Sequence, residues 1–391
     1  MSDIAPVPPQ GNGDSAPSSH QDGREPGIGL WSVRMADSCI ERWPMLSEEW
    51  NYESGMVLKG IEQVWLDTRD KKYLTYIESN IRPFVQPDGS IRTYNLQDYN
   101  LDQINTGKLF FRLYEETADE RYRQAILILM EQIKAQPRTS EGGFWHKKIY
   151  PFQMWLDGIY MASPFYSQYA DRFDEPAGFD DVAHQILLIE RHTHDPRTGL
   201  FYHGWDESRM QRWSHPQTGS SPNFWGRAMG WYAMALVDVL DFLPSSHRAR
   251  DRIMTILDRM ISSLLLVQDS AAGLWYQVLD RGKAEGNYFE ASASCMFVYA
   301  MAKGVRLGYL APKYLEAARR GYAGILKHLI EVDHGQVNLT RICRVAGLGG
   351  EQQRDGSYEY YLSEPVVDND PKGVGAFLMA STEMERLTKK Q

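Results

Sequence analysis

Two helical patterns alternate along this chain. In the first, apolar residues return to one face, as in Tyr122, Ile126, Leu129, Met130 and Ile133, or Ile253, Ile256, Leu257, Met260, Ile261 and Leu264. Tyr322, Ile325, Leu326 and Leu329 repeat the theme. Steps of three and four residues place each set on one side of a helix, and the polar remainder faces water. In the second pattern the residues are apolar or small nearly all round: Ala228–Val237, Ala291–Ala302 and Gly373–Ala380. A helix with no polar face has to be buried on every side. Shorter segments of this kind follow Asp102, follow Asp157 and lie near Gly55, which makes six. Six buried helices, each followed by an amphipathic partner, predict an all-α fold. It is an (α/α)6 barrel, an inner ring sheathed by an outer one, from about Trp31 to Lys389. The units start at irregular intervals and share little sequence, which disfavours a regular solenoid.

The connections that lead into the inner helices carry a second pattern. Four of them join Asp or Gly to aromatic residues: Gln86–Ser90, Glu141–His146, Asp195–His203 and Asp269–Gln277. Gly and Asp suit turns, and the aromatics after them suit short extended segments. Gathered on one side of a barrel, these loops would make a single mouth lined with rings. Sugars fit such a mouth, because their C–H faces stack on aromatics while their hydroxyls seek polar groups.

Composition narrows the function classes. The 391 residues are 43% hydrophobic and 24% charged, enough for a large core, and the formal net charge is −9. That balance does not favour nucleic acid, and an anionic ligand would need a local cationic pocket. Residues 1–27 are rich in Pro, Gly, Ser and Asp and read as a disordered tail. They hold no apolar run of the kind a signal peptide needs. Residues 28–391 read as one barrel domain. No stretch approaches the roughly 20 apolar residues of a membrane span, so a cytoplasmic location is expected. Cys39, Cys295 and Cys343 are too sparse for a disulfide framework or a zinc site. The chain has no HExxH, no calcium loop, no GxxxxGK[ST] and no GxSxG, so neither a metal nor another cofactor is expected. The oligomeric state is not legible.

Candidate chemistry gathers where the buried helices begin. Asp157 stands at the threshold of one, two residues after Trp155. It is either the helix cap or a carboxyl in a partly dry, aromatic setting, where burial favours the protonated form and general-acid work. Asp102 holds the equivalent place one unit earlier and has the same two readings. As a second carboxylate, it would also keep a proton on the first by like-charge repulsion. Trp225, Arg227 and Trp231 open the fourth buried helix. An arginine there needs an anion, either a protein carboxylate or a uronate. His203, His146 and Lys147 are further cationic or donor groups.

Long segments then carry a resemblance. Thr139–Asp171, Phe224–Ser245, Phe289–Ala311 and Arg354–Leu378 resemble the unsaturated rhamnogalacturonyl hydrolases, glycoside hydrolase family 105, relatives of the unsaturated glucuronyl hydrolases of family 88. The likeness runs from about Trp31 to Leu387. The residues before Gly27 match nothing in it, and Arg209–Ser221 match poorly. It implies an (α/α)6 barrel that removes a 4,5-unsaturated uronic acid from the non-reducing end of pectin-derived, rhamnogalacturonan oligosaccharides. It implies Asp157 as acid and base, Asp102 as second carboxylate, and pocket roles for His146, Lys147, Trp155, His203, Trp225, Arg227 and Trp231, with Tyr52 beside them. The same chemistry on unsaturated glucuronyl or ulvan-type disaccharides, and a sugar-binding barrel without catalysis, are the alternatives. An isomerase of this fold would need histidines on its inner helices, and these have none.

Overall fold

The computed structural model describes residues 30–389, so the expected tail at 1–27 lies outside the described residues. In chain order the helices are α1 (Trp31–Arg42), α2 (Tyr52–Thr68), α3 (Lys71–Ile81), α4 (Lys108–Thr117), α5 (Glu120–Ala135), α6 (Leu156–Arg172) and α7 (Ala177–Thr193). There follow α8 (Gly226–Val239), α9 (Arg250–Leu266), α10 (Ala291–Arg306), α11 (Leu315–His328), the short α12 (Tyr358–Ser363) and α13 (Pro371–Thr388). A 3-10 stretch, Leu101–Gly107, runs straight into α4.

The two predicted kinds of helix occupy two rings. Inside stand α2, the 3-10 stretch with α4, then α6, α8, α10 and α13, each packed on the next, and α13 packs back on α2 to close the circle. Every residue of α8 is buried, as a helix without a polar face requires. Outside, α5 buries Tyr122, Ile126, Leu129, Met130 and Ile133, and α9 buries its own predicted apolar face. The architecture is the (α/α)6 barrel.

One detail of the pairing differs from expectation. Five inner helices are followed by an outer partner, but α13 ends the ring, and its partner is α1 from the other end of the chain. Glu385 on α13 accepts from the Ser32 amide on α1 at 3.0 Å. Ring closure also depends on a small residue: a Cβ at Gly375 would fall 2.4 Å from the Met56 carbonyl oxygen.

The aromatic loops form the short extended segments expected of them. Isolated bridges join Val85 to Ile91, Arg138 to Phe144, His194 to Phe201 and Tyr276 to Phe289. Gly199 and Gly273, at φ +74°, make two of these turns in a region that L-residues avoid. Three two-stranded ribbons accompany them: β1 (Gln153–Trp155) with β2 (Gly204–Asp206), β3 (Ile330–Asp333) with β4 (Gln336–Leu339), and β5 (Ile342–Cys343) with β6 (Val366–Val367). Among the described residues no helix is long and apolar enough to cross a membrane.

Candidate active site

The first turns of the inner helices meet the aromatic loops at one end of the barrel. The β1–β2 ribbon sets the centre of this mouth, because it pairs Trp155 with Gly204 and lets the Leu156 amide donate to the His203 carbonyl at 3.0 Å. Asp157 thereby faces His203. The structure does not support the cap reading of Asp157. The N-cap of α6 is Trp155, without a side-chain cap bond, and Asp157 lies inside the first turn. Its Oδ2 is 3.1 Å from His203 Nε2. Neither atom has a well-formed hydrogen bond among the described residues, so both keep capacity for a third group. On the other side of the ring, His203 Nδ1 lies 2.9 Å from the Tyr361 hydroxyl.

Asp102 is not a cap either. Asn100 performs that task, its Oδ1 accepting from the Asp102 amide at 3.0 Å. The Asp102 side chain instead meets Lys147 Nζ at 2.5 Å and His146 Nε2 at 3.5 Å. Burial works to raise its pKa, but Lys147, His146 and Lys372 together hold it below the ordinary carboxylate value. The expected like-charge pressure of Asp102 on its neighbour is therefore met by a cation: Lys147 matches that charge.

Of the two roles open to His146, cation or donor, the structure favours the second. Burial pushes its imidazole down to about 4, against the pull of Asp102, so it is a neutral donor rather than a cation. Its ring stacks on Trp155 at 4.5 Å, and Tyr150 covers the same indole at 4.8 Å. These three rings form one wall.

Arg227 finds its anion within the protein. It is fully buried, with Glu290 Oε1 at 3.6 Å, Ser292 Oγ at 2.9 Å, and the Cys343 carbonyl as a further acceptor. Of its two possible partners, the protein carboxylate is present, so Arg227 ties α8 to α10 and to β5. Trp225 is placed otherwise. Its ring lies against His203 at 4.8 Å and parallel to Tyr361 at 5.9 Å, and its Nε1 donates to Gln277 at 3.1 Å. Trp231 sits deeper, stacked on Tyr160 at 5.1 Å and edge-on to Tyr52 at 6.3 Å, as the floor of the mouth. Burial drives the Tyr52 hydroxyl well above its usual range, so it remains a donor.

Sequence reasoning missed Tyr361, which orders His203, and Lys372, which stands among Asp370 at 2.9 Å, Glu53 at 3.8 Å and the Tyr52 ring. It also missed Glu290. The available signals were a lysine and a glutamate at the very start of otherwise apolar helices. Among the described residues no group of three or more His, Cys, Asp and Glu side chains is placed to hold a metal. The assembled parts are a sheltered carboxyl beside an imidazole, an ionised carboxylate locked to a lysine, and walls of aromatic rings.

The sequence model of Glycosyl Hydrolase Family 88 matches residues 31–388. A solved glycoside hydrolase of family 105 from C. acetobutylicum is 49% identical and superposes with a TM-score of 0.90, over 92% of this chain and all of that one. The unsaturated rhamnogalacturonyl hydrolase YesR of Bacillus subtilis is 25% identical over 286 residues, 72% of this chain and 77% of that protein. The unsaturated glucuronyl hydrolase of Bacillus sp. GL1 shares the fold at a TM-score of 0.68 and 14% identity, over 91% of this chain and 95% of that one.

Proposed function

We propose an activity from one premise: this chain belongs to the glycosyl hydrolases of family 88 and their family 105 relatives. It removes a terminal 4,5-unsaturated galacturonic acid from rhamnogalacturonan-derived oligosaccharides, by hydrating the C4=C5 enol ether. The likeness to YesR, whose name states this substrate class, supports the choice of sugar.

The observation that carries the mechanism is the contrast between the two carboxyls. Cleavage at the anomeric carbon needs two carboxyl groups acting together, one as acid and one as nucleophile or base. Here Asp102 is held ionised by Lys147, and Asp157 meets His203 and forms no salt bridge with a lysine or arginine among the described residues. One free carboxyl suits a reaction in which the same group acts twice. Asp157 donates a proton to C4, and positive charge develops at C5, stabilised by the ring oxygen. The resulting carboxylate takes a proton from a water as its oxygen bonds to C5. The hemiketal so formed opens, and its C1 side releases the partner sugar. Asp157 ends protonated, ready for another turnover. His203, held by Tyr361, orients the carboxyl. Asp102 and Lys147 contact sugar hydroxyls and the uronate, and the Trp155 and Trp225 rings stack on the sugar faces.

The test is incubation of the purified protein with the unsaturated rhamnogalacturonan disaccharide. The ultraviolet absorbance of the double bond should disappear as rhamnose accumulates. Persistent absorbance with this disaccharide, and loss with a glucuronyl one, would refute the substrate assignment.

A further inference from the structure

At the end opposite the mouth, the six inner helices line a cavity of about 470 Å³. Six helix C-termini turn the negative ends of their dipoles toward it, which favours cations there. Nearly all the cations present are matched. Lys303 lies 2.6 Å from both Asp238 and Asp241, Arg306 and Arg386 share Glu383, and Lys59 meets Glu62.

Lys108 is the exception. It is only 3% exposed, and its Nζ has no hydrogen-bond partner among the described residues. The ammonium rests 3.8 Å from the centre of the Tyr160 ring, on the underside of the Tyr160–Trp231 pair that floors the mouth. Burial pushes it down to about 7, although Asp238 and Glu62 pull the other way. One turn along the same helix, Arg112 pairs through Nη1 with Glu115 at 2.6 Å and Glu116 at 3.6 Å, while its Nε is buried without a hydrogen bond and lies 3.9 Å from Glu62.

We propose that this rear cavity is a second ligand site, which takes a small carboxylate on Lys108 with Arg112 beside it. Residues four apart on a helix face the same way, and both side chains line the cavity. A buried ammonium without a partner is unfavourable, and an anion in the cavity relieves that cost. A single unmatched cation calls for a single negative charge rather than a phosphate dianion. The volume falls within the roughly 300–1,000 Å³ of ligand clefts, which admits a monosaccharide acid. The inference does not depend on the reaction at the mouth.

Galacturonate, a saturated acid with no double bond to hydrate, is the probe, titrated calorimetrically into the full-length protein. Wild type should show saturable binding that Lys108→Met weakens by at least about tenfold, as loss of a charge-assisted bond does. Lys147→Met, which changes the mouth, should leave that component unchanged. Absence of saturable binding overturns the proposal, as does a loss that follows Lys147→Met but not Lys108→Met. If Lys108→Met does not fold, Arg172→Glu at the half-exposed rim takes its place. Weaker binding then supports the site, and unaltered binding overturns it.

Discussion

Asp157 lies 3.1 Å from the His203 imidazole while Asp102 meets the Lys147 ammonium at 2.5 Å, and on the proposed mechanism this difference in partner makes Asp157 the proton donor. An ionised acid locked to a lysine has nothing to donate. Asp157→Asn keeps the shape and removes the proton, so kcat should fall by about 10³-fold or more with an unchanged circular dichroism spectrum. Near-wild-type turnover in that variant would end the assignment. Tyr361→Phe tests positioning instead. Removing its hydroxyl frees His203 to rotate, and kcat should drop about tenfold with KM nearly constant, the size of one hydrogen bond's worth of orientation. A rise in KM alone would mean that Tyr361 binds sugar. Asp157 and Asp102 were legible as candidates because each stands where a polar loop turns into an apolar helix, a place that suited a cap as well as an acid. Tyr361 was not, because its partner lies 158 positions away and no local spacing joins them. The arginine that opens α8 was half legible. Burial alone demanded an anion for Arg227, but which anion depended on the start of another helix.

That other helix start makes Glu290 a knot between elements. Its carboxylate accepts from the Ala293 amide at 2.7 Å, capping α10, and from the Cys343 amide at 3.0 Å, and it faces Arg227 at 3.6 Å. All of these groups are buried, so Glu290→Ala leaves a guanidinium and two amides unmatched. The cost should be about 3–5 kcal/mol, as for removing one member of a buried pair, and urea denaturation would read it. A change below about 1 kcal/mol, the value of an exposed pair, would show that the knot carries no weight. The alternation of amphipathic and wholly apolar helices announced the two rings, since burial on one side or on all sides writes different periodicities. The meeting of α1 with α13 left no such trace. It joins the two ends of the described chain, and α1 contributes mainly small buried groups, Ala36, Ser38 and Cys39 among them.

At the scale of the whole molecule, the barrel reconciles an acidic protein with an acidic substrate. The inner helices start at the mouth, so their positive dipole ends converge there with Lys147 and Lys372, in a chain whose formal net charge is −9. The same burial that builds the mouth makes the fold sensitive to acid through His146. In the unfolded chain that imidazole takes a proton near 6.5, but in the folded protein only near about 4. Between those values the unfolded chain binds the extra proton, so stability falls as pH drops from about 6.5 to about 4 and levels off below. The full loss is on the order of 3 kcal/mol. Asp102 works in a lower window: its folded pKa is depressed, so its contribution is present above about 4 and is lost only in stronger acid. Glu53 and Glu385, raised by burial, oppose the trend by favouring the folded state as pH falls. The measurement is therefore a difference, urea midpoints of wild type and His146→Gln taken from pH 4 to pH 7. Wild type should lose more stability than the variant on acidification, the extra loss building up between about pH 6.5 and about pH 4. Parallel curves would mean that His146 takes up its proton with the fold intact.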